Sequence, residues 1–219
     1  MRRALTYLAA ALCLATTAAA ATPDVDGVVR KVQQRYDETR DFTADVTQET
    51  TVASLGKTVS AHGTMAFKKP GRMRFELTGD GEQIMVADGT TLWLYQPAER
   101  QVLKTPFDAA FRATTPVSFL TGVGRIADDF TVTITEPAGS SGALVLDLVP
   151  RKADGGVGKL RLHVARDNYD IHGAEVYDPQ GNVSRLTFEH LRRNVGLDDS
   201  RFVFEVPPGV DVVTAPMAE

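Results

Sequence analysis

The chain has 219 residues, 24 Lys and Arg against 28 Asp and Glu, and a formal net charge of −4. That balance argues against nucleic acid as a partner and against unspecific adhesion to anionic membranes. The single cysteine, Cys13, lies in an N-terminal apolar stretch behind Leu12, where lipid attachment would need a small residue, so the chain is not expected to be a lipoprotein itself.

Arg2 and Arg3 precede an uncharged apolar run from Leu5 to Ala15, and Ala18-Ala19-Ala20-Ala21 follows with the small residues of a cleavage site. A membrane span needs about 20 apolar residues, and this run is shorter. Residues 1–21 are therefore expected to be a cleaved secretory signal, leaving residues 22–219 as one domain. Cleavage would remove Cys13 and with it any disulfide, thiolate nucleophile or zinc thiolate. Without Arg2 and Arg3 the balance becomes 22 basic against 28 acidic side chains, a net −6.

Thr22-Pro23 reads as a helix start, and Val25, Val28, Val29, Val32 and Tyr36 place one apolar stripe on a helix ending near Thr39. The period then changes to two. Phe42, Ala44 and Val46 share a face, as do Val59, Ala61, Gly63, Met65 and Phe67, and then Met73, Phe75 and Leu77. Asp88-Gly89 joins Ile84–Ala87 to Thr91–Tyr95 as a hairpin. On the second arm Thr91, Trp93 and Tyr95 face one way, and Leu92 and Leu94 the other. Both faces are apolar, so something must cover each of them.

From Pro106 to Gly124 the alternation stops. Phe107, Ala110 and Phe111, then Val117, Phe119, Leu120 and Val123, suggest two short helical turns. Strands resume at Phe130–Ile134, Leu144–Val149, Leu160–Val164, Ile171–Tyr177 and Val183–Leu191, with Phe202, Phe204 and Val206 as the last. The expected fold is mainly β, of the α+β class. A single antiparallel sheet of about 11 strands is long enough to curl into an incomplete β-barrel. The N-terminal helix and a short helical lid insertion cover it, making a hydrophobic cup.

Enzyme readings fail one by one. His62, His163, His172 and His190 have no metal-ligand spacing; His163 alternates with Leu162 and Val164 and should point to the polar face, and His190 reads as a sheet-edge or core residue. Gly139-Ser140-Ser141-Gly142 lacks the glycine spacing of a nucleophile elbow. Gly155-Gly156-Val157-Gly158-Lys159 lacks the first glycine and the Ser or Thr of a phosphate loop. No catalytic residue, metal or cofactor is expected.

The run Gly63-Thr64-Met65-Ala66-Phe67-Lys68-Lys69-Pro70-Gly71-Arg72-Met73-Arg74-Phe75, followed by Ile84 to Tyr95 with Asp88-Gly89 at its turn, resembles the outer-membrane lipoprotein carrier family, LolA. Asp41-Phe42-Thr43-Ala44, the segment from Thr115-Pro116 to Gly122, and the ending Phe202 to Asp211 are similar to that family too. The resemblance implies a monomeric periplasmic chaperone and no enzyme. It would take acylated lipoproteins from an ATP-driven LolCDE-like complex in the inner membrane and pass them to a LolB-like receptor in the outer membrane. It also implies a basic residue, usually Arg, before the Pro of the motif, bonded to lid backbone. Here Lys69 stands there, a point charge in place of a planar fork. Phe67, Met73, Phe75, Trp93 and Tyr95 are the acyl-chain cavity candidates, and Phe107, Phe111, Phe119 and Leu120 the lid candidates. The alternative is an envelope-stress sensor of RseB-like type that binds lipid or an anti-sigma factor; such regulators carry a further C-terminal domain, and this chain ends soon after its last expected strand.

Overall fold

The computed structural model describes residues 24–107, 125–135, 143–152 and 156–214. Residues 1–21, expected to be a secretory signal, and the lid candidates Phe111, Phe119 and Leu120 lie outside them. Helix α1 (Val25–Asp37) turns Val29 and Val32 into the core, with Val25 and Val28 partly buried beside them. Its last turn closes where Glu38 N–H donates to the Gln34 carbonyl and the Thr39 hydroxyl to that of Arg35. Among the described residues no helix is long and apolar enough to cross a membrane.

Twelve strands are present among the described residues: β1 (Asp41–Val52), β2 (Lys57–Lys68), β3 (Arg72–Gly79), β4 (Gln83–Asp88), β5 (Thr91–Gln96), β6 (Gln101–Pro106), β7 (Phe130–Thr135), β8 (Ala143–Pro150), β9 (Lys159–Ala165), β10 (Ile171–Tyr177), β11 (Val183–Arg193) and β12 (Asp211–Thr214). They form one sheet in the order β12-β6-β5-β4-β3-β2-β1-β11-β10-β9-β8-β7. Two meanders meet where β1 pairs with β11. The sheet curls but does not close, because its edge strands β7 and β12 do not pair. A four-residue turn, α2 (Ile126–Asp129), leads into β7 and touches α1.

Strand register explains the two apolar faces. Phe42, Phe67, Met73, Ala87 and Leu92 lie opposite one another across β1 to β5, and so do Ala44, Met65, Phe75, Met85 and Leu94. This is the inner face, since Met65 and Phe75 share a cluster with α1 and with the inward leucines of β8 and β9. Gly63 sits on it where β2 runs tight against β3: a Cβ there would fall 1.8 Å from the Glu76 carbonyl oxygen. The outer face of β8 to β1 is a ladder of alternating charge, Asp147–Arg161–Glu175–Arg185–Glu49. His163 joins it, donating to Glu175 at 2.9 Å, on the polar face its alternation indicates.

The last segment departs from expectation. Phe202, Phe204 and Val206 form no strand; residues 194–210 cross the outer face of β3 to β6 as a strap. Arg74 donates to the carbonyls of Arg201 and Val203, Lys68 to that of Leu197, and Arg100 to that of Gly209. Phe202 is fully buried, and Phe204 packs its ring 5.8 Å from Trp93 and 6.2 Å from Tyr95. The residues alternate because they press onto a finished sheet, not because they extend it. Beyond the strap, β12 runs parallel to β6, the one parallel pair among the described strands. Strands β6 and β12 are the two that the periodicity does not reveal.

Truncating Phe202 to Ala should cost about 3–5 kcal/mol, read as a lower urea midpoint at unchanged slope. The two-pronged hydrogen bond from Arg161 at 2.6 and 3.0 Å holds the Asp147 carboxyl below the usual carboxylate range, against the opposing effect of burial. A depressed folded pKa stabilises above the unfolded value and loses that stabilisation as pH falls through the folded one. The stability gap between wild type and Asp147→Asn should therefore narrow as pH drops from about 6 to about 2, as measured by urea titrations along that range.

Candidate functional site

The inner face carries two joined apolar clusters. Phe67 and Met73, each 1 % exposed, pack with Ala87 and Phe107. Phe75 lies in the larger cluster beneath α1 with Met65 and Leu77. Phe42 touches both, its ring 5.4 Å from that of Phe67. Gly71 has a positive φ of 64°, and a Cβ there would come within 2.8 Å of the Phe107 ring. A residue without a side chain is thus required where the β2–β3 turn passes under Phe107.

Trp93 and Tyr95 do not belong to this wall. They stand on the outer face under Phe204, and β5 turns Leu92 and Leu94 inward instead. The period of two separates these pairs but cannot orient them, because β5 is apolar on both sides.

An apolar pocket opens between the C-terminal half of α1 and β1, β10 and β11, lined by Val32, Tyr36, Phe42, Ile171, Phe188 and Leu191. Its cavity volume is about 60 Å³, enough for a few waters and far short of an acyl chain. Leu191 reaches it through a bulge. Thr43 pairs with Arg192 and Asp45 with Glu189, so His190 and Leu191 both stand opposite Ala44. With φ at +50°, His190 turns out to solvent, where its imidazole is 80 % exposed and pairs with Asp45. This corrects the expectation of an edge or core histidine. The extra residue re-aims Leu191 and Arg193 inward, which strict alternation would not predict.

Lys69 precedes β3 and points at the end of α1. Its ammonium donates to the Tyr36 carbonyl at 2.6 Å and to that of Asp37 at 3.4 Å, and lies 4.0 Å from the centre of the Tyr36 ring. Burial lowers its pKa, opposed by the Asp37 charge; burial chiefly, then Asp37, raises that of the Tyr36 phenol. A cation on the last carbonyls of a helix is favoured by the helix dipole. Asn194 adds a second clasp, donating to the Glu38 carbonyl and accepting from Arg40 N–H. Together these contacts fasten one end of α1 to the rim of the sheet.

Residues 37–205 match the family model described as outer membrane lipoprotein carrier protein LolA. The outer-membrane lipoprotein carrier protein of Leptothrix cholodnii is 34 % identical over 215 residues, covering 97 % of each chain. That of Pseudomonas paraeruginosa is 29 % identical over 216 residues, covering 97 % of this chain and 99 % of the relative. Among solved structures, an uncharacterized conserved protein from Thermus thermophilus superposes with a TM-score of 0.52 at 14 % identity, over 87 % of this chain and 98 % of that one. That last likeness is one of fold.

Because Phe42 bridges the two clusters, Phe42→Ala should destabilise the protein by about 3–5 kcal/mol. A double-mutant cycle with Phe67→Ala should show a coupling of about 0.5–1.5 kcal/mol, measured by denaturant unfolding of the four proteins.

Proposed function

The chain belongs to the LolA family, and from that premise we propose that it is a periplasmic carrier for the acyl chains of lipoproteins. It receives them as a LolCDE-like complex releases them from the inner membrane and delivers them to a LolB-like receptor at the outer membrane. The observation that carries this reading is the continuous apolar inner wall, from Phe42 and Phe67 through Phe75 and Leu94, with a helix fastened over it by polar contacts at one end.

Each methylene withdrawn from water is worth about 0.8 kcal/mol, so acyl chains cannot cross an aqueous compartment without a host. A host must offer burial close to that of a membrane and still let go. Beneath α1, Val29 and Val32 pack in one cluster with Met65, Phe75 and Leu77, and the apolar pocket left beside β1, β10 and β11 holds only about 60 Å³. Loading therefore requires the cover to move, and the bonds that hold the cover oppose loading and favour release. Phe67, Met73 and Phe75 form the wall, Phe107 packs at its margin, and Lys69 tethers the cover through α1. The work is binding and release, with no bond made or broken.

Depletion in the native host tests the reading: lipoproteins destined for the outer membrane should accumulate at the inner one. A changed envelope-stress response with normal sorting would replace the carrier by a regulator of RseB-like type. Lys69→Leu removes hydrogen bonds from a charged donor, worth about 1.5–3 kcal/mol. It should raise amide exchange in the last turn of α1 by tenfold or so and slow lipoprotein release to the receptor. If neither moves, Lys69 is not the tether.

A further inference from the structure

Three charged side chains close the α1 pocket. Asp170 accepts from Arg35 Nε at 2.8 Å and from its Nη2 at 3.3 Å, and Arg193 Nε lies 3.2 Å from the same carboxylate. Arg35 belongs to α1, Arg193 ends β11 on the inward side of the bulge, and Asp170 sits in the turn between β9 and β10. Their side chains are 29 %, 21 % and 19 % exposed in the order Arg35, Arg193, Asp170, so the group is half-sheltered at the mouth of an apolar space that all three line.

The turn is built to hold that carboxylate in place. Tyr169 takes the left-handed region at φ +60°, a conformation rare for a residue with a bulky side chain. Its N–H donates to the Ala165 carbonyl, Ala165 N–H donates to the Asp170 carbonyl, and Asp170 N–H donates to the Asn168 side chain. The Tyr169 ring meets Lys31 of α1, whose ammonium donates to the hydroxyl at 3.1 Å. Lys31 and Arg35 are four apart and share a helix face. Thus α1 grips this turn at two points, through Lys31 and Arg35.

We propose that Arg35, Asp170 and Arg193 form a second latch on α1, one that sets how readily the helix lifts from the inner wall and so how fast an acyl chain enters. This rests on the carrier reading of the same site. One carboxylate holds two guanidinium groups, one on each side of the seam. Neutralising it leaves two like charges facing each other across the helix–sheet boundary, which pushes α1 away. Replacing all three by apolar side chains removes both the repulsion and the cost of sheltering charge, and a triad exchanged for apolar residues commonly packs at least as well. A latch therefore predicts opposite effects from two changes at one place.

The test uses purified full-length protein without lipoprotein. It reads amide exchange of residues 25–37 and the association rate of cis-parinaric acid, with urea midpoints recorded to separate global stability. Asp170→Asn should raise both rates by about tenfold, and the triple variant Arg35→Met, Asp170→Leu, Arg193→Met should lower both below wild type. Unchanged exchange in Asp170→Asn overturns the latch. So does a triple variant that exchanges no more slowly than wild type, which would mark the triad as ordinary structural support. The triple variant alone decides the matter if Asp170→Asn does not fold. Because no lipoprotein is present, these readouts stand or fall separately from the depletion experiment.

Discussion

An apolar wall facing water must be covered, and everything in this molecule follows from how that cover is attached. On the inner side, α1 buries Val29 and Val32 against the sheet, but directional polar contacts hold its C-terminal half: Lys69 and Asn194 at the rim, Arg35 and Lys31 at the β9–β10 turn. Apolar burial is roughly proportional to area and indifferent to which apolar group supplies it. Hydrogen bonds and ion pairs need fixed geometry. They resist displacement until they break.

The outer face is built on the opposite principle. There the strap is nailed down by Phe202 and by backbone carbonyls that accept from Lys68, Arg74 and Arg100, and the charged ladder from Asp147 to Glu49 lies along neighbouring strands already paired by backbone bonds. Cover and wall are continuous here, with large aromatic area between them. The outer cover is thus held by a buried aromatic and by backbone carbonyls, the inner one by side-chain contacts at one half of a helix.

The β1–β11 seam connects these halves. It joins the two meanders, and its bulge at His190 and Leu191 brings Arg193 to the inner side while sending His190 out. One extra residue in β11 therefore places both a pocket-lining leucine and the arginine that meets Asp170. Asp41 at the start of β1 accepts from the Val195 and Gly196 backbone and turns the chain from the seam into the strap, so the same corner serves both faces.

Much of this was legible in the residues. The valine stripe at helical spacing specified α1, and the alternations put Phe42 with Ala44, Met65 with Phe67 and Met73 with Phe75 on shared faces without saying which face is inner, because side-chain period is a local property of the backbone. The motif from Gly63 to Tyr95 identified the family for the same reason: turn chemistry and alternation are written in consecutive positions. Other features are products of assembly. Trp93 and Tyr95 could be separated from Leu92 and Leu94 but not assigned a face, since that depends on where the distant Phe204 comes to rest. The strap read as a strand because packing on a sheet and pairing within one leave the same pattern of residues. The bulge, the parallel β12 and the meeting of Arg35, Asp170 and Arg193 depend on partners more than a hundred positions apart, and only the closed-up sheet brings such partners within a hydrogen bond's reach.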